Sequence, residues 1–184
     1  MSSTTELTPG LTPGTWRVDP SHSTIGFVAR HLMVTKVRGR FESFDGTLTV
    51  GDDPLQSKVE ASVDMKSVST GDAGRDGHLV GDDFFDVDQY PTMQFTSTSI
   101  TPDGGDYALH GDLTIKGVTK PVTFALEFEG VATDPWGNAK AAFSASTEIN
   151  RRDFGLDWNV ALDQGGMLVS EKIKVELDVQ AVKA

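Results

Sequence analysis

The 184-residue sequence contains no cysteine. That excludes disulfides, iron–sulfur clusters, thiolate zinc sites and a cysteine nucleophile. Positive charge is also scarce: 16 Lys and Arg stand against 27 Asp and Glu, for a net charge of −11. An acidic chain lacks the positive field that generic DNA or RNA binding requires, so no nucleic-acid partner is expected. Adsorption onto anionic lipid headgroups is disfavoured on the same ground. Long apolar runs are missing too. No stretch approaches the ~20 residues of a transmembrane helix, so no integral membrane segment is expected. Residues 1–14 carry neither the basic flank nor the apolar run of a signal peptide, which makes the cytoplasm the default expectation. The repeat Leu7-Thr8-Pro9-Gly10 and Leu11-Thr12-Pro13-Gly14 is turn-rich and reads as a flexible leader over residues 1–14.

From residue 15 to 184 the chain reads as one domain with a dominant period of two. Val59, Ala61 and Val63 share one face of Lys58–Asp64, and Tyr107, Leu109, Gly111, Leu113 and Ile115 repeat the pattern. Val122, Phe124, Leu126 and Phe128 do the same, as do Ile173, Val175, Leu177 and Val179. Further strands are expected at about 23–31, 39–50, 92–100 and 140–149. Eight antiparallel strands, each burying one face, form a sandwich or a barrel, and closure removes exposed edges. Residues 67–91 break the period with Gly71, Gly74, Gly77 and Gly81 and a group of aspartates. Asp72 and Asp82 are placed to N-cap short helical turns there. Charge is patterned: residues 52–103 hold eleven acids and three bases, whereas Arg30, Lys36, Arg38 and Arg40 lie in an acid-free stretch.

Local chemistry is sparse. His22, His31, His78 and His110 show no metal-ligand spacing such as HxH or HExxH. Asp82, Asp83, Asp86 and Asp88 lack the glycine and the closing glutamate of a calcium loop. The glycine series has no Gly-Lys-Ser/Thr ending and is not a phosphate loop. No GxSxG elbow is present, and the adjacency of Asp19, Ser21 and His22 does not by itself make a triad. Arg151 and Arg152, set among aromatics in Asn150–Trp158, read either as a headgroup clamp at a barrel mouth or as part of an Arg–Asp pair pinning a connection. Phe84 and Phe85, with Leu79 and Val80, plug one end of the barrel or line a cavity.

Several motifs together resemble the YceI-like family of polyisoprenoid-binding proteins. They include Trp16-Arg17-Val18-Asp19-Pro20-Ser21-His22-Ser23, Gly39-Arg40-Phe41, Phe44-Asp45-Gly46 and Ser67-Val68-Ser69-Thr70. Arg75-Asp76-Gly77-His78-Leu79, Asp83-Phe84-Phe85-Asp86, Tyr90-Pro91, residues 113–122 and Arg152-Asp153-Phe154-Gly155 follow in the family's order. The resemblance implies an extended, lipocalin-like, eight-stranded antiparallel β-barrel with a short helical or irregular insertion around 67–91. It also implies non-enzymatic binding of a long isoprenoid lipid, a polyprenyl phosphate or a quinone, in an internal tunnel.

The expected tunnel lining is Ile25, Phe27, Phe41, Val59, Val63, Phe84, Phe85, Phe95, Leu109, Leu113, Phe124, Leu126 and Val175. Headgroup candidates are Arg38, Arg40, Arg75, His78, Arg151 and Arg152. No catalytic residue, metal or cofactor is expected beyond the bound lipid or quinone. A homodimer is compatible with such a barrel. Many members of the family look exported, a contrast with the leader read here. The rival readings are a packed structural barrel without ligand and an enzyme acting on an isoprenoid through His22 or His78.

Overall fold

A computed structural model describes residues 8–32, 34–160 and 169–184. Among these residues eleven strands and one α-helix follow one another, with short 3-10 turns between some of them. They are β1 (Gly14–Val18), β2 (Thr24–His31), β3 (Thr35–Phe41), β4 (Phe44–Val50), β5 (Lys58–Asp64) and β6 (Val68–Ser69). Then come α1 (Ala73–Val80), β7 (Thr92–Asp103), β8 (Asp106–Ile115), β9 (Val118–Thr133), β10 (Ala139–Asn150) and β11 (Lys172–Lys183). Alternating apolar residues drive each long strand to present one side inward, and the antiparallel ladder satisfies the backbone between neighbours.

The barrel is an eight-stranded ring in the order β1-β4-β5-β7-β8-β9-β10-β11, closed by pairing of β11 with β1. β11 forks. Its residues Lys174–Asp178 pair with β2, and Ala181–Lys183 pair with β1. From the fork, β2, β3 and β6 extend the wall in that order.

The eight-stranded architecture is as expected, but its membership differs. The single strand expected at 39–50 is two strands, because the chain turns at Glu42 and Ser43. Their backbones bond the far side of that corner: Glu42 N–H donates to the Ser67 carbonyl and Asp64 N–H to the Ser43 carbonyl. The five-residue β1 escapes a periodicity reading because too few positions alternate, yet it closes the ring. β7, β9 and β11 also run beyond their expected bounds, to Asp103, Thr133 and Lys183.

One end of the barrel is filled. Trp16, fully buried, packs with Leu11, Val50, Ala141 and Ala181, and with Phe128 and Phe143 beside them. The Trp16 indole N–H donates to the Thr12 carbonyl at 3.0 Å. Residues 1–7 lie outside the described residues. From Thr8 onward the segment expected as leader packs on the barrel, with Thr8 and Leu11 both buried.

The other end is roofed by the 67–91 segment. Asp72 caps α1, its Oδ1 accepting from the Arg75 N–H at 3.0 Å, and Gly81 ends the helix. Asp82 caps no second helix; it begins a run of turns to residue 89, in which Phe84 and Val87 are buried.

Candidate functional site: an apolar tunnel with one polar mouth

Between the two ends lies a cavity of about 630 Å³. Ile25 and Phe27 of β2, Phe41 of β3 and Val59 and Val63 of β5 border it. Phe95 of β7, Leu109 and Leu113 of β8, Phe124 and Leu126 of β9 and Val175 of β11 continue the wall, and Phe84 and Phe85 form part of the roof. All the residues expected in the lining therefore border one space. Phe44, Ile100, Phe143, Ile149, Ile173 and Leu177 join them. The same period of two signals most of these. Trp158, also in the lining, lies on an aperiodic segment and gives no such signal.

Two glycines keep the wall thin. A Cβ on Gly39 would come within 2.2 Å of Phe27 Cζ, and one on Gly111 within 2.4 Å of Phe95 Cζ. Each ring thus covers the neighbouring strand's glycine while bordering the lumen. Phe27 pairs directly with Gly39 across the ladder, which sets that position by register. Phe95 meets Phe124 edge to face at 5.4 Å, a favourable arrangement of aromatic quadrupoles.

Polar groups gather where α1, the β2–β3 hairpin and the segment after β10 meet. Arg30, His31, Arg75, His78, Arg151 and Trp158 all border the cavity there. The His78 ring stands edge to face with Trp158 at 4.6 Å and with Phe84 at 5.0 Å, and its Nε2 lies 2.9 Å from Asp83 Oδ2. Arg75 is braced on Thr70: its Nε donates to the hydroxyl at 2.8 Å and its Nη2 to the carbonyl at 3.0 Å. Nη1 has no protein acceptor among the described residues. Arg75 therefore keeps N–H donors for an oxygen-bearing ligand group.

Arg151 behaves differently. Its guanidinium is buried and donates to four backbone carbonyls: Ser170 at 2.9 Å, Trp158 at 2.9 Å, Val169 at 3.4 Å and Leu156. Burial pushes its pKa down from the usual arginine value, with the nearby Glu171 opposing that shift. Of the two readings of this segment, the pinned connection is what the geometry displays, with carbonyls in place of an aspartate. Neighbouring Arg152 is exposed and paired with Glu171 at 3.1 Å and with Asp157 at 3.7 Å.

Arg38 and Arg40 lie on the outer face of β3, beside Glu176 at 3.6 Å and Glu42 at 3.2 Å, and do not border the cavity. Asp19, Ser21 and His22 form a capped turn on the exterior. Asp19 Oδ1 accepts from Ser21 N–H and Oγ, and Oδ2 lies 2.8 Å from His22 Nδ1. Ser21 Oγ meets that same Nδ1 at 3.1 Å, whereas a triad places its nucleophile and its acid on opposite ring nitrogens. His110 bridges Thr101 and Thr123 on the outer face. Among the described residues, no group of three or more metal-ligating side chains comes together.

A closed antiparallel barrel with an apolar lumen, one filled end and one polar opening defines a lipocalin-like barrel. The YceI-like domain matches residues 16–181, and the chain belongs to that family. It is similar to protein YceI of Escherichia coli O17:K52:H18, with 38% identity over 163 residues, 88% of this chain and 82% of that protein. Among solved structures it resembles Burkholderia cenocepacia BcnA, with a TM-score of 0.74 and 25% identity over 89% of this chain and 98% of that one. A polyisoprenoid binding domain from Saccharophagus degradans shares the fold at 16% identity, with a TM-score of 0.71 over 94% of this chain and 100% of that domain.

Proposed function

We propose that the protein binds a prenyl-type lipid in the tunnel and acts on it by sequestration, without catalysis. The observation that carries this reading is the largely apolar cavity of about 630 Å³, with the arginines and histidines that border it gathered at one mouth. That volume falls in the range of about 300–1,000 Å³ typical of sites that enclose a drug-sized ligand. A hydrocarbon tail of a few isoprene units suits it, gaining about 25 cal/mol for each Å² of apolar surface removed from water. The tail would lie along Phe27, Phe41, Phe95 and Phe124, with its oxygenated head beside Arg75 and His78. Support also comes from the isoprenoid named for the Saccharophagus degradans domain of the same fold.

Native mass spectrometry of the freshly purified protein tests the reading. A co-purifying lipid, or uptake of farnesol, geranylgeranyl phosphate or a short-tailed quinone, is the expected result. A clean apo mass that takes up none of these overturns it. Phosphate and quinone heads separate through Arg75→Ser: loss of uptake confined to the phosphate marks an anionic head at the mouth.

A further inference from the structure

The acid-free stretch noted in the sequence folds into an edge with a distinct surface chemistry. Along the outer face of β2 and β3, Arg30 sits directly opposite Lys36, and Arg38 and Arg40 follow on the same side. Lys172 and Lys174 of adjacent β11 widen this basic ribbon. Three acids border it: Glu42 pairs with Arg40 at 3.2 Å, Glu148 with Lys172 at 3.8 Å, and Glu176 lies within 4 Å of both Arg38 and Lys174. Arg30 and Lys36 have no carboxylate within that distance among the described residues.

At the tip of the same hairpin the chemistry turns apolar. Leu32 is 45% exposed and Val34 is 74% exposed. Leu32 adopts φ 54°, a left-handed conformation that an asparagine or glycine would hold at less cost. Val160, 45% exposed, lies close by. Asn159 clasps the Val169 backbone at 2.7 and 2.9 Å, and Val169 in turn bridges to His31. Three of the four large apolar side chains most exposed among the described residues thus converge at this end. Arg30 and His31, at the base of the same hairpin, border the tunnel.

We propose that the β2–β3 hairpin docks the tunnel mouth onto an anionic lipid bilayer. Leu32, Val34 and Val160 enter the headgroup region, and Arg30, Lys36 and Arg38 face the anionic surface around them. Interfacial binding of this kind combines buried apolar area with attraction between cations and anionic lipids. Charge complementarity selects the bilayer over face-to-face pairing with a second copy of this chain, whose like ribbon would repel it. The geometry also joins two surfaces without an aqueous gap: an apolar ligand leaving the bilayer at the hairpin meets the mouth directly. The docking surface stands apart from the identity of the tunnel's occupant.

Co-flotation of the full chain with phosphatidylcholine vesicles, with and without phosphatidylglycerol, tests the proposal. Binding is expected on the anionic vesicles alone and weakens as salt screens the ribbon. Leu32→Asp with Val34→Asp should weaken it by at least about tenfold, because two apolar anchors are lost and charge is added. Arg30→Ser with Lys36→Ser should cost roughly fivefold per cation. Trp136→Ser, which removes the exposed indole of the β9–β10 turn at the opposite end, should leave binding unchanged. Thermal melts confirm that each variant folds, and if the double aspartate fails to fold, the double serine decides. Absence of anionic-vesicle binding overturns the proposal, as does equal binding by the hairpin variants. Vesicle-free dimerisation abolished by Val34→Asp also overturns it, since the patch would then be an interface between copies. A tunnel that takes up no lipid would leave every one of these readings intact.

Discussion

The two ends of this barrel solve opposite problems. At the filled end, Trp16 is fully buried among Leu11, Val50, Ala141 and Ala181, and the ring closes through the β1–β11 ladder. At the open end, the roof is held by side chains: the His78–Trp158 edge contact, the Arg75–Thr70 brace and the carbonyl cluster around Arg151. Close packing and ladder bonds make the first end rigid. Contacts made by a few side chains can open one at a time, so the second end is drawn from the less stable part of the fold. Stability and access are therefore assigned to different ends of one tunnel.

Substitutions can break that division. Trp16→Ala should have the largest effect, about 3–5 kcal/mol by the usual cost of emptying an aromatic site. For a chain of this size each kcal/mol lowers the melting midpoint by about 2–4 °C, so a thermal melt resolves it easily. Ligand uptake by the fraction that remains folded should persist. Arg151→Met comes next. It keeps the side chain's length but strands the carbonyls of Ser170, Leu156 and Trp158, for a cost of about 2–3 kcal/mol. Hydrogen exchange should rise over residues 151–160 more than around Trp16. A uniform rise would mean that the two ends unfold as one unit.

Trp158→Ala should cost about 1 kcal/mol, in keeping with a half-buried position. Its larger consequence is kinetic: removal of the indole that meets His78 should speed ligand exchange, read by stopped-flow with a fluorescent prenyl probe. Acid supplies the smallest effect. Hydrogen bonds from Ser21, then His22, hold the Asp19 carboxyl down from 3.8 to about 2. A depressed carboxylate pKa stabilises the fold above the unfolded value, and that contribution is lost as pH falls from 3.8 toward about 2. Melting midpoints across this window should fall less steeply in Asp19→Asn than in the parent chain.

The walls were legible because period two is a local signal: Val59 and Val63, or Phe124 and Leu126, are inward whichever strands they neighbour. The corner at Glu42 and Ser43 was not, because its partners are Asp64 and Ser67, more than twenty residues away. Arg151 was legible as a special residue but not in its role. Its four acceptors come from segments on either side of residues 161–168, and only the tertiary fold brings them to one guanidinium. Trp158 and His31 become mouth residues for the same reason. The net charge hides a local pattern: the sum is −11, yet the four cations of residues 30–41 share one edge.

The fork in β11 carries a consequence for how the chain is made. β11 pairs with β10 along its length, with β2 over Lys174–Asp178 and with β1 over Ala181–Lys183. Until residues 172–183 have left the ribosome, β1, β2 and β10 each present an unpaired edge. The preceding hairpins can form as they emerge, but the lumen cannot be enclosed. Synthesis must run through β11 before there is an inside, and during that interval three edges of unpaired N–H and C=O groups are open to wrong pairing.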